Sequence, residues 1–138
     1  RYPDKRAALL PTLHLAQREF GWLSTDVMEY VGELLELPYA AVYDTATFYT
    51  MFKLKPIGKY HLQVCHTLSC ALRGAGEICR HIEQKYGIKN GEVTADGKFS
   101  LEKVECLGSC GTAPVVQINE DYHEGLTVEQ LDKLLEKL

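Results

Sequence analysis

Five cysteines are the residues best able to do chemistry in this chain: Cys65, Cys70, Cys79, Cys106 and Cys110. Four of them form two pairs, Cys65-x4-Cys70 and Cys106-x3-Cys110. Closely spaced thiols invite three chemistries. Disulfides need an oxidising compartment, which nothing in the sequence indicates, and an odd count leaves one thiol unpaired. Zinc favours short knuckles in small folds that need the metal as a staple. A [2Fe–2S] cluster takes four cysteines with wider gaps, including a four-residue one. The spacing therefore favours a cluster while leaving zinc and a disulfide standing. A thiol–disulfide oxidoreductase is disfavoured because the short C-x-x-C motif is missing.

The surrounding residues add to this. Leu107-Gly108-Ser109 lies inside the second pair and Gly111-Thr112-Ala113-Pro114 follows it. Glycines let backbone N–H groups approach sulfur closely, and Pro114 biases Ala113 toward an extended conformation. Four thiolates, two ferric ions and two sulfides sum to about −2, or about −3 after reduction. Such a charge favours N–H donors over carboxylates, and acids are sparse in these loops apart from Glu105. Cys79 shares a helical face with Ile78 and Ile82 and reads as a buried, inert thiol. His66 lies within the first pair and is not needed as a ligand. His14, His61, His81 and His123 share no metal spacing and read as surface or boundary residues.

The elements that must position these groups can be read from periodicity. Leu9, Leu13, Ala16 and Phe20 mark a first helix with Pro11 near its first turn, stopped by Gly21. Ser24 or Thr25 caps a second helix with a buried stripe of Val27, Val31, Leu34 and Leu35. Pro38 fits the first position of a third helix, running to about Ala46. The following aromatic cluster, ATFYTMF, reads as core more readily than as a docking surface.

Beyond Gly58 the period becomes two: Tyr60, Leu62 and Val64 alternate with Lys59, His61 and Gln63, predicting a strand over 59–65. A helix over 73–86 buries Ala75, Ile78, Cys79, Ile82 and Tyr86. After a polar loop, strands are expected near 99–105, 114–118 and 121–123, the last two joined by a turn at Asn119-Glu120-Asp121. A final helix opens with a Thr127/Gln130 capping box and buries Leu131, Leu134, Leu135 and Leu138. The expected fold class is α/β, with an N-terminal helical bundle over 1–55 and a β-α-β-β-β-α module over 56–138. A β-α-β crossover makes the strands 59–65 and 99–105 parallel, so their carboxyl ends share one sheet edge. Ligands bind at such edges, and all four paired cysteines lie there.

Composition bounds the rest. A chain of 138 residues, 46% hydrophobic and 25% charged, supports a globular core. Fifteen Lys and Arg against nineteen Asp and Glu, a formal charge of −4, argue against a basic nucleic-acid-binding surface. No apolar run reaches the roughly eighteen residues of a membrane span. Arg1 stands first in place of Met, and the expectation is a trimmed or absent native N-terminus with no secretion signal. Gly74-Ala75-Gly76 imitates a dinucleotide fingerprint, but Cys79 occupies the third glycine position. No Ser-His-Asp order, zinc-protease motif or phosphate loop is present.

The segments RYPDKRAALLPTLHLAQREFGWLS, ATFYTMF, GKYHLQVCHTLSC and VECLGSCGTAPVVQIN resemble the thioredoxin-like [2Fe–2S] subunits of NADH:quinone oxidoreductase, respiratory complex I. Related subunits occur in NAD-reducing hydrogenases and NAD-dependent formate dehydrogenases. The resemblance implies a thioredoxin-like [2Fe–2S] ferredoxin domain behind the helical bundle, with Cys65, Cys70, Cys106 and Cys110 as cluster ligands. It implies a redox subunit with no substrate-converting site of its own, beside a partner that binds FMN and NADH and a large multi-cluster iron–sulfur subunit. It also implies a cytoplasmic place, peripheral on the inner membrane through the complex (the matrix side in a eukaryote), and a cluster off the main electron route. A reading from another class is a zinc-stabilised scaffold that docks partners through ATFYTMF.

Overall fold

The structure is a computed structural model that describes residues 2–138. The chain divides into two compact units, one ending at Pro56 and the other running from Ile57 to Leu138.

The first unit is helical. A 3-10 turn over Arg6–Ala8 leads into α1 (Leu9–Phe20), with Pro11 in its first turn and Gly21 closing it at φ 80°. Proline costs nothing there because those N–H groups have no intrahelical partner. In α2 (Thr25–Leu35) the Ser24 hydroxyl accepts from the Val27 N–H, as an N-cap should. Its buried stripe is Met28, Val31, Gly32 and Leu35, rotated by about one position from the predicted one; Leu34 is exposed and Val27 only partly buried. Gly32 is the reason. A Cβ there would meet the Leu37 carbonyl oxygen at 3.0 Å and the Val42 side chain at 3.6 Å, so bare Gly32 backbone packs against the loop before α3 (Tyr39–Phe48) and against Val42 within it. Pro38 is the N-cap of α3, one position earlier than expected, and the helix runs on to Phe48.

Phe20, expected in the stripe of α1, is exposed at the last position of the helix. The segment after α3 is tied back by Gln17, whose amide nitrogen donates to the Met51 carbonyl (2.9 Å) and whose amide oxygen accepts from the Lys53 N–H (2.6 Å). ATFYTMF therefore divides: Ala46 and Phe52 are buried, while Phe48 is 77% exposed and Met51 47%.

In the second unit, β1 (Tyr60–Cys65), β2 (Phe99–Val104), β3 (Val115–Ile118) and β4 (Asp121–Glu124) form one sheet in the order β2-β1-β3-β4. β1 and β2 are parallel, paired from Tyr60↔Phe99 to Cys65↔Val104. β3 is antiparallel to β1 and to β4, and Asn119 turns at φ 55° between β3 and β4. One sheet face buries Leu62, Val64, Leu101, Val116 and Ile118 with residues of α5 (Ala75–Tyr86) and α6 (Val128–Leu135). The capping box of α6 forms as read, with Thr127 and Gln130 each accepting from the other's backbone N–H. Among the described residues no helix is long and apolar enough to cross a membrane.

His61 corrects the sequence reading. It is buried, with Nδ1 2.8 Å from the Ser100 hydroxyl and Nε2 2.8 Å from the Glu102 carboxylate. Parallel register sets His61 beside Ser100 on the sheet face opposite Leu62, so period two gave its direction but not its covering. The Ser100 hydroxyl also accepts from the Gly58 N–H at 2.9 Å.

Candidate metal centre

The parallel register determines where the cysteines begin. Cys65 ends β1 opposite Val104, and the chain remains paired one residue further, His66 N–H donating to the Val104 carbonyl at 3.1 Å. Both strands thus finish at the same rim. From Cys65 the chain passes through Thr67, the N-cap of a short helix α4 (Leu68–Leu72) that carries Cys70. Periodicity missed α4, since one helical turn is too short to show a period. From Val104 the chain enters the loop of Cys106, with Gly108 at φ 80° and a 3-10 turn over Cys110–Thr112, before β3.

All five thiols are free. Cys65 and Cys70 are buried, Cys106 and Cys110 exposed. The sulfurs of Cys106 and Cys110 lie 3.4 Å apart, beyond the roughly 2 Å of a disulfide bond.

Donors cross between the two loops. The Thr67 hydroxyl lies 3.2 Å from the Cys65 sulfur, and the same side chain lowers the Cys106 thiol of the other loop. The Ser69 side chain acts on Cys110 in the same downward direction. In return the Leu107 backbone of the second loop lowers the Cys65 thiol, and the Val115 backbone lowers that of Cys70. Gly108 N–H donates to Cys106 at 3.4 Å. The four sulfurs therefore share one network.

The network splits each pair electrostatically. Burial pushes the Cys65 thiol up, but hydrogen bonds from Thr67, Leu107 and Cys70 outweigh it and leave Cys65 below the ordinary thiol value. Burial and the adjacent Cys65 hold Cys70 above it. The Gly108 N–H, helped by Cys110 and Thr67, lowers Cys106, while Cys106 in turn raises Cys110. Each pair thus has one sulfur inclined to lose its proton and one to keep it, because two like charges so close cannot both form cheaply. Positive ions between the sulfurs would remove that conflict.

Cys79 stands apart. It is buried in the core on α5, and burial pushes its thiol up. His66 is turned to other partners: Nδ1 lies 2.8 Å from the Val104 carbonyl and Nε2 3.6 Å from Glu105. His14 faces Phe52 across a 5.0 Å ring separation, and His81 binds Asp132 at 2.7 Å. The sequence reading also missed an acid: Glu124, distant in sequence, accepts from the Ser109 and Thr112 hydroxyls on either side of Cys110. Only strand pairing brings it there, so no local signal marks it.

A model of the thioredoxin-like [2Fe–2S] ferredoxins matches residues 1–138 in full. The chain belongs to that family. Among curated relatives, an NADH-quinone oxidoreductase subunit of Rickettsia bellii is 55% identical over 141 residues, covering 100% of this chain and 84% of the relative. An NADH-quinone oxidoreductase subunit of Rhizobium meliloti is 48% identical over 136 residues, covering 99% and 81%. Among solved structures, that of an NAD+-reducing [NiFe]-hydrogenase in the air-oxidised state superposes with a TM-score of 0.83 at 26% identity. That match covers 94% of this chain but 22% of the hydrogenase chain.

The cofactor of a thioredoxin-like [2Fe–2S] ferredoxin is a [2Fe–2S] cluster, and the donor set here suits one. Among the described residues no three His, Cys, Asp or Glu side chains gather round a single ion position. The thiols come as two pairs in the two loops at the shared rim, a division that would suit two irons. The Gly108 N–H already points at the Cys106 sulfur, as an anionic cluster needs, and the Leu107 and Val115 backbones favour negative charge on Cys65 and Cys70.

Proposed function

We propose that this chain is the one-electron carrier of the NADH-oxidising part of an NADH:quinone oxidoreductase, with Cys65, Cys70, Cys106 and Cys110 as its cluster ligands. The single observation that carries the ligand assignment is the parallel register, which ends β1 and β2 at one rim and so brings the loop of Cys65 and Cys70 beside that of Cys106 and Cys110, whose sulfurs lie 3.4 Å apart. Two relatives named as NADH-quinone oxidoreductase subunits, each matched over more than four-fifths of its length, support the setting.

When bound, the cluster supplies reversible one-electron exchange without making or breaking a substrate bond. The chain's residues do the rest. Cys65 and Cys70 would hold the cluster with buried sulfurs, and Cys106 and Cys110 would hold it with exposed ones, where a partner can approach. The Leu107, Gly108 and Val115 N–H groups and the Thr67 and Ser69 hydroxyls stabilise negative charge on sulfur. In this reading the chain converts no substrate. FMN and NADH belong to a partner subunit that passes on the electron pair singly, and the large multi-cluster iron–sulfur subunit is a second neighbour. The chain then lies on the cytoplasmic face of the inner membrane through its complex, or on the matrix side in a eukaryote. The hydrogenase superposition favours a second reading, the equivalent subunit of an NAD-reducing hydrogenase.

Anaerobic purification tests the assignment. About two irons and about two acid-labile sulfides per chain are expected, with visible absorbance bleached by dithionite and a paramagnetic reduced state. Stoichiometric zinc in a colourless protein would favour the scaffold instead. Co-purified FMN-binding and hydrogenase chains distinguish the two settings.

A further inference from the structure

The second cysteine loop is held from one side by β4. Tyr122 Oη donates to the Leu107 carbonyl at 3.1 Å. Glu124 Oε1 accepts from the Thr112 hydroxyl at 2.7 Å and from the Ser109 hydroxyl. The Gly125 N–H donates to the Thr112 carbonyl at 2.7 Å. These bonds grip the loop just after Cys106 and on both sides of Cys110. The strand register explains the reach: Glu124 pairs with Val115, the first residue of β3 after the loop. Glu124 itself is exposed and packs no core, so its carboxylate is there for its hydrogen bonds and charge.

We propose that β4 is the positioning element of the second ligand loop, with Glu124 both anchoring the segment that carries Cys110 and setting a fixed negative charge that lowers the cluster's reduction potential. This rests on Cys106 and Cys110 being ligands. Two directed donors converging on one carboxylate oxygen hold the Cys110 turn in one conformation. A neighbouring anion disfavours adding an electron to a cluster that is already negative, the more so at low salt. The Ser109 and Thr112 hydroxyls keep the Glu124 carboxyl below the usual carboxylate range, so it is charged whenever the protein is folded near neutrality.

The test uses the full chain, purified anaerobically with its cluster, as wild type, Cys106→Ser, Glu124→Ala, Glu124→Gln and the pair Ser109→Ala/Thr112→Val. Release of iron to a chelator is expected to be about tenfold faster in Glu124→Ala, the usual scale for losing an outer partner of a metal site. Ser109→Ala/Thr112→Val should match it, and combining the three should add little more, since all remove one interaction. In Glu124→Gln the amide oxygen still accepts both hydroxyls. Its release rate should stay near wild type while its midpoint potential rises, the rise shrinking as salt is added. Wild-type release in Glu124→Ala, or an unchanged potential in Glu124→Gln, overturns the proposal with the ligand assignment intact. If Glu124→Ala fails to fold, the Glu124→Gln potential and the hydroxyl pair decide. A full cluster in Cys106→Ser overturns the ligand assignment itself, and this proposal with it.

Discussion

At the scale of single residues, burial separates cysteines that composition treats alike. Cys65 and Cys70 are as buried as Cys79, yet their thiols are shifted by each other and by Thr67, Leu107 and Val115 of the two loops. Cys79 has apolar neighbours and a thiol that burial keeps protonated. Cys106→Ser is therefore expected to deplete the cluster, while Cys79→Ser leaves iron and sulfide per folded chain at the wild-type level. The second variant still loses about 1–3 kcal/mol of stability from burying a hydroxyl in an apolar site. Equal cluster loss in both, measured by iron and sulfide analysis, would refute this division.

Gly58 belongs to the same scale. A Cβ there would lie 2.5 Å from the Phe99 carbonyl carbon and 2.7 Å from the Ser100 nitrogen, both backbone atoms that cannot swing aside. Gly58→Ala should cost about 1–3 kcal/mol, the range for overpacking, and loosen the contact that sets His61 against Ser100. Denaturant midpoints check the first effect. The imidazole resonance of His61 reports the second.

Among elements, α5 and α6 are joined by a polar link as well as by Ile78, Ile82, Leu131 and Leu135. Asp132 Oδ1 lies 2.7 Å from both Lys85 Nζ and His81 Nε2. The Lys85 hydrogen bond, then that of His81, hold the Asp132 carboxyl below its ordinary value of 3.8. A depressed folded value means that the unfolded chain takes up the proton first. The stabilisation is therefore fully present above the unfolded value and is lost as pH falls through the folded one. Wild type should lose stability more steeply than Asp132→Asn below about pH 4. Identical acid limbs in urea titrations would remove the link from the account.

At the scale of the whole molecule, every paired cysteine and every donor to its sulfur lies in the unit from Ile57 onward. Residues 57–138 alone are therefore expected to hold the cluster, with the iron and sulfide content of the full chain. The helical unit offers something different. Phe48 stands in the open with an edge contact to Tyr49, which turns another edge to the buried Phe52. Phe48→Ala should weaken association with partner subunits while leaving cluster content unchanged, and Tyr49→Ala should do both less cleanly, because Tyr49 also supports the core. Pull-down yield against iron content separates the two.

What the sequence by itself determined was whatever local chemistry and period carry: the helical bundle, the four strands, the capping box of α6, the parallel crossover and hence the shared rim of two cysteine pairs. Four thiols at that spacing needed no coordinates to suggest a cluster. Tertiary structure decided the rest, because it depends on neighbours far away in the chain. Gly32 turned the stripe of α2 by letting backbone approach backbone, and register buried His61 against Ser100 and Glu102. The surroundings of the sulfurs were invisible for the same reason. Thr67 lowers the Cys106 thiol, Leu107 lowers that of Cys65, and Glu124 grips the loop of Cys110 only after β1, β2, β3 and β4 have paired. Hydrogen bonds are short-ranged and directional, so their partners are chosen by the fold rather than by proximity in sequence.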